Sequence, residues 1–118
     1  MDDQMIIISS ILKEWEGIQP SIEKSFRERN QIEAKKLMDK GIQLFIEFLM
    51  VANNQPYSDQ FSIPYQKLEW KPVNLEERLK FIMSRPNLHH SYRQLSELVT
   101  EQKKQLAKKN IQRKTSRP

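Results

Sequence analysis

Residues 34–52 read AKKLMDKGIQLFIEFLMVA, and their spacing decides the fold class. Ala34, Leu37, Met38, Gly41, Ile42, Phe45, Phe48, Leu49 and Ala52 recur at intervals of three and four, while Lys35, Lys36, Asp39, Lys40 and Gln43 fall on the other side. A broad apolar face repeating at the helical period marks an amphipathic helix, here expected to be the central one of a bundle. Gly41 lies inside that face and gives up about 1 kcal/mol of helix propensity relative to alanine. A close approach by a neighbouring helix is expected to compensate. Asn53-Asn54-Gln55-Pro56 ends the segment.

Upstream, Asp3–Trp15 places Ile7, Ile8, Ile11, Leu12 and Trp15 at helical spacing, with Lys13 and Glu14 opposite. Gly17 predicts a helix stop, and Pro20 suits the first turn of a second helix carrying Ile22 and Phe26 on one face. The run Arg27-Glu28-Arg29-Asn30 reads either as a break or as solvated helix surface.

Downstream, residues 54–73 are punctuated by Pro56, Pro64 and Pro72 and hold Tyr57, Phe61, Tyr65 and Trp70, four of the ten aromatic residues. Loops of this length are uncommon in small domains unless they pack or carry function, and the aromatic content predicts that this one lies across the bundle. Asn74 then predicts an N-cap, with Glu77 completing a capping box. Leu75, Leu79, Ile82 and Met83 form the inner face of that helix, which Arg85-Pro86 stops. A last helix starts near Leu88–Ser91 with the stripe Tyr92, Leu95, Leu98, Val99, Gln102 and Leu106. Past Leu106 the pattern thins, so fraying is expected, with Thr115–Pro118 disordered. The expectation is an all-α, single-domain bundle of four or five helices over residues 1–106, with a long aromatic and proline-containing loop. A basic, partly disordered tail covers 107–118.

Composition narrows the chemistry. The chain has 118 residues, no cysteine and two glycines. Without cysteine there are no disulfides, thiolate zinc sites or cysteine nucleophiles. Two glycines are too few for the phosphate-cradling loops of mononucleotide or dinucleotide folds. The longest apolar run, Phe48–Ala52, is far below the roughly 18 residues of a membrane span. Met1-Asp2-Asp3 carries the wrong charge for a signal peptide, and the expectation is a cytoplasmic protein.

The charge is unevenly placed. Residues 101–118 hold Lys103, Lys104, Lys108, Lys109, Arg113, Lys114 and Arg117 against Glu101 alone, a net of +6, whereas residues 1–100 sum to −1. The basic character belongs to the C-terminal end and not to the whole domain.

Two stretches carry a resemblance. Trp70-Lys71-Pro72-Val73-Asn74-Leu75-Glu76-Glu77-Arg78-Leu79-Lys80-Phe81-Ile82, followed by Arg85-Pro86-Asn87-Leu88-His89-His90-Ser91-Tyr92-Arg93-Gln94-Leu95, resembles the YpoC-like family of small bacterial helical proteins. The matching positions run from about residue 55 to 108. The resemblance implies a bacterial, cytoplasmic, all-α domain and transfers no site residue to this chain.

Candidate chemistry is sparse. His89 and His90 are the only histidines; adjacent helical residues point about 100° apart, and no Glu-x-x-His precedes either, so a di-iron pattern is missing. Contact with an aromatic or with loop backbone accounts for them. Glu76-Glu77 could serve as paired carboxylates, but first-turn acidic residues complement the helix dipole. The residues predict no enzyme, no cofactor and no metal site. Tyr65 and Trp70 have two readings, as core at the join of loop and bundle or as exposed anchors for a protein partner, rimmed by Arg78, Arg85 and Arg93. Lys103, Lys104, Lys108, Lys109, Arg113, Lys114 and Arg117 likewise read as solvated charge or as non-specific phosphate contacts to DNA or RNA. The tail has no aromatic platform for base stacking. The function expected is a non-enzymatic helical module that binds another macromolecule, a protein partner first and nucleic acid as the alternative. Oligomeric state is left open by the sequence.

Overall fold

Ile8, Ile11, Trp15, Ile22 and Ser25 form one buried stripe along a single helix, α1 (Asp3–Arg27), in the computed structural model of the chain. The structure describes the backbone of residues 3–57 and 59–115 and the side chains as far as Gln112. The expected break at Gly17 and the expected second helix start at Pro20 are both overturned, because α1 runs through them. The reason is packing: half-buried Ile18 joins the stripe on either side of the two breakers. Pro20 lacks the N–H that would bond the carbonyl of Glu16. Glu16, Gly17 and Pro20 are all exposed, so the missing bond falls on the solvent side of the helix.

In the run 27–30, Arg27 ends α1 and residues 28–30 make the turn into α2 (Gln31–Ala52). Arg29 takes a left-handed φ of 56°, and the amide of Asn30 bonds back to the Ser25 carbonyl at 2.8 Å. The Asn30 side chain then caps α2 by accepting from the amide of Glu33 at 3.1 Å.

α2 is the centre of the fold. Its stripe is buried as expected except for half-buried Leu37, and its C-terminal half is enclosed more fully, with Leu44, Ile46 and Met50 also buried. Gly41 sits where α1 and α4 both meet α2. A Cβ placed there would stand 2.9 Å from the Trp15 ring and 3.2 Å from Leu95. The close approach expected from the sequence is therefore present.

The remaining elements are a short 3-10 turn at Tyr65–Lys67, α3 (Leu75–Ser84) and α4 (His89–Thr115). α3 buries Leu75, Leu79 and Ile82 against α4. The expected capping box does not form. Asn74 is the N-cap but has a φ of 55°, and its side chain makes no cap hydrogen bond. α4 lies antiparallel to α1: Tyr92 at its start donates to Glu23 at 2.6 Å, and Leu95 faces Gly41 at mid-length. α4 passes Leu106 without interruption as far as Thr115. The expected disorder of 115–118 lies outside the described residues except for the backbone of Thr115, which is helical.

Candidate functional site

A helix leaves its last four carbonyls without internal partners, and the C-terminus of α2 shows where all four go. The Leu49 carbonyl accepts from the Asn53 amide nitrogen Nδ2 at 2.8 Å. The Met50 carbonyl accepts the backbone amides of Asn53 and Gln55, and Val51 accepts that of Asn54. Asn54 stands in the left-handed region with φ 56°, so this is a Schellman-type end with asparagine in the usual glycine position. Val51 also accepts Gln4 Nε2 of α1 at 2.6 Å. Ala52 accepts Lys109 Nζ of α4 at 2.6 Å. A cation there complements the negative end of the helix dipole.

The same corner fastens the aromatic segment. Asn53 holds Trp70 by two bonds, its Nδ2 donating to the Trp70 carbonyl at 2.9 Å and its Oδ1 accepting the Trp70 amide at 2.8 Å. Gln102 of α4, fully buried, donates to the same Trp70 carbonyl at 2.8 Å. Its Oε1 is buried and has no hydrogen-bond partner among the described residues. Over this latch opens a polar cleft of about 490 Å³, lined among others by Lys67, Glu69, Trp70, Lys109 and Gln112.

The structure separates the residues singled out from the sequence. Trp70 and Tyr65 are half-buried and tied to the bundle. Burial pushes the Tyr65 hydroxyl above the ordinary tyrosine range, with the Glu76 carboxylate adding to it. Arg85 and Arg93 are exposed on α3's end and on α4. Arg78 is partly buried and engaged within the chain, gripping Glu101 through two nitrogens at 2.9 and 2.5 Å and the Val73 carbonyl at 3.0 Å. Lys103, Lys104 and Lys108 are exposed, whereas Lys109 is only 5 % exposed. The side chains of Arg113, Lys114 and Arg117 lie outside the described residues. Residues 102–109 thus contribute Gln102, Leu106 and Lys109 to the bundle interior.

The histidines meet aromatic rings, His89 edge-on to Phe26 at 5.4 Å and His90 edge-on to Phe81 at 5.7 Å. Glu76 pairs with Lys80 at 2.8 Å. Among the described residues no group of three or more His, Cys, Asp or Glu side chains is placed to hold a metal ion.

A second surface was missed at the sequence level. Tyr57 and Phe61, at the far side of the aromatic segment, are 61 % and 86 % exposed. Tyr57 lines an apolar groove with Ile6 and Ile7 of α1 and Met50 and Val51 of α2. It also lines a neighbouring hollow that Phe61 shares. Within the sequence these two aromatics looked no different from Tyr65 and Trp70; only the latch on Trp70 tells them apart.

The Arg78–Glu101 pair gives a test by pH. The hydrogen bond from Arg78 holds the Glu101 carboxyl below the usual carboxylate range. A carboxyl depressed in the folded state adds stability above its unfolded value and loses it as pH falls through the folded value. Both side chains touch solvent, so the pair is worth about 1 kcal/mol or less. Arg78→Gln is expected to lower stability by that amount at neutral pH and to flatten the loss between about pH 5 and pH 3. Denaturant titrations across that range check it; a variant curve parallel to wild type would refute the assignment.

Four helices closed around an apolar core, with an aromatic segment latched to one end, define a small all-α domain. The chain belongs to the YpoC-like protein family, whose model matches residues 6–114. The match takes in the N-terminal helix as well as the second half of the chain, where the resemblance was legible. A relative from Bacillus subtilis (strain 168), named Uncharacterized protein YpoC, is 30 % identical over 112 residues, covering 91 % of this chain. This chain spans 66 % of that relative's length. No solved structure matches the chain. Among the described residues, no helix is long and apolar enough to cross a membrane.

Proposed function

We propose that the protein is a non-enzymatic helical interaction module that holds a protein partner on the face formed by the start of α1, the end of α2 and the Tyr57–Phe61 segment. One observation carries this reading. Ile6, Ile7, Tyr57 and Phe61 are 51 %, 49 %, 61 % and 86 % exposed, and Tyr57 joins the two hollows they line. Contiguous apolar surface with aromatic residues is typical of protein-binding sites. Of the two carboxylates weighed for catalysis, Glu76 pairs with Lys80, and both it and Glu77 lie in the first turn of α3, where negative charge complements the helix dipole. We place the module in the cytoplasm, with which a cysteine-free chain is compatible.

Photo-crosslinking in bacterial cells tests the reading. A benzophenone amino acid in place of Phe61 or Tyr57 is expected to give a reproducible adduct with a discrete protein. The same probe at Ile32, which is also 86 % exposed but lies at the start of α2, is expected to give none. Identical adduct patterns at all three positions, or no adduct at Phe61 and Tyr57, would overturn it.

A further inference from the structure

The groove between α1 and α2 has a chemistry that specifies its occupant. Its walls are the antiparallel helices α1 and α2, with Tyr57 closing one end, and its volume is about 550 Å³. The floor is apolar: Ile6, Ile7, Ile11, Met50 and Val51. Two carboxylates also line it, Glu14 from α1 and Glu47 from α2. Glu14 already pairs with Lys40 at 3.1 Å. Glu47 is half-buried and makes no ion pair among the described residues. The hollow next to it, reached past Tyr57, adds Asp39, which pairs with Lys35 at 2.9 Å, and Asp59, whose Oδ1 accepts the Phe61 amide at 2.8 Å, so Glu47 carries the charge that no cation offsets among the described residues. This acidic, apolar strip belongs to a chain whose formal net charge is +5.

A cleft between two packed helices with an apolar floor is the setting for helix-in-groove recognition, in which an amphipathic helix lays down side chains spaced three and four apart. A carboxylate lacking a cation beside that floor selects a cationic flank, since charge complementarity fixes register and excludes wrong partners. We infer that the α1–α2 groove docks an amphipathic α-helix of a partner protein, its apolar side on Ile6, Ile7 and Val51 and a lysine or arginine on Glu47. This rests on the interaction-module reading and names the chemistry of the partner.

The test uses the full chain and two labelled peptides of about 16 residues with the same leucine face, one carrying lysine and one glutamate at the remaining positions. Fluorescence anisotropy is read at low and at moderate salt. The lysine peptide is expected to bind about tenfold or more tightly than the glutamate peptide, with the gap shrinking as salt screens the contact. General attraction to a chain of charge +5 would produce the opposite preference, so a lysine preference reports the local acidic strip. Glu47→Lys is expected to remove that preference, and Ile7→Glu or Ile6→Glu to abolish binding of either peptide while circular dichroism stays native. Equal affinity for the two peptides, no binding, or binding that survives both isoleucine variants would each overturn the inference. So would a concentration-dependent dimer that Ile7→Glu dissociates, since a second copy would then be the occupant. Crosslinks from Phe61 in cells without peptide binding would sink the groove assignment alone, whereas loss of those crosslinks removes the module reading itself.

Discussion

Trp15→Ala is expected to lower folding stability by about 3–5 kcal/mol, the range for removing a buried aromatic side chain. Small domains have roughly 5–15 kcal/mol in total, so this single change brings the chain close to unfolding. Trp15 is 3 % exposed, its ring packs against the position of Gly41, and it lies 6.2 Å from the Tyr92 ring, centroid to centroid. It is the side chain through which α1 meets α2 and α4 together. The more discriminating result concerns Gly41. In the wild-type background Gly41→Ala is expected to destabilise by up to about 2 kcal/mol, because overpacking of about 1–3 kcal/mol outweighs a helix-propensity gain of about 1. In the Trp15→Ala background the same change is expected to be neutral or stabilising, since the ring at 2.9 Å is gone. Gly17→Ala serves as control: apart from its chain neighbours and the backbone of its own helix, nothing lies within 4 Å of the added Cβ, so a gain of about 0.5–1 kcal/mol is expected. Urea titrations of the four variants and wild type decide it. Equal effects of Gly41→Ala in both backgrounds would refute the contact as the reason for the glycine.

Asn53→Ala is expected to lower stability by about 2–4 kcal/mol. The substitution removes three hydrogen bonds and leaves the Trp70 amide without its acceptor, at about 1–3 kcal/mol for an unsatisfied buried donor. It also strips the Leu49 carbonyl of the side-chain donor that caps α2. Asn53→Asp is expected to be of similar size, because a carboxylate oxygen would then face the Leu49 and Trp70 carbonyls. The consequence beyond stability is local. With the latch open, the indole of Trp70 becomes more accessible while Trp15 stays inside, so acrylamide quenching of tryptophan emission is expected to rise in conditions where the variant is still helical. A variant that loses stability with unchanged quenching would show that Asn53 acts only as a helix cap.

Much of the architecture was readable from local pattern. The stripe of residues 34–52, the inner face of α3 and the stripe of α4 follow from a period of three to four, and Arg85-Pro86 stops α3 by steric exclusion between neighbours. Gly41 within an apolar face announced a close helix contact. The misreading of α1 came from the same source: Gly17 and Pro20 are local breakers, and local rules give them weight that packing overrides. Ile18 was the available signal, because it carries the stripe from Trp15 to Ile22 with no change of period. The candidate surface was less legible. Gln102 in an otherwise apolar stripe was the one trace of a buried polar junction, and nothing in the order of residues paired it with Asn53 or Trp70.

Local pattern suffices for the class of fold, for most of the helix-forming segments and for the concentration of positive charge near the C-terminus. These depend on residues within a few positions of one another, where propensity and periodicity act. It takes the packed fold to make Lys109 a buried cap on Ala52, and to hold Trp70 while Tyr57 and Phe61 stand out. Packing likewise leaves Glu47 lining an apolar groove with no cation paired to it among the described residues. Each of these is a meeting of groups from distant parts of the chain, 57 residues apart for Lys109 and Ala52. The burial that sets the energy of a charge or a hydrogen bond exists only once those parts have packed.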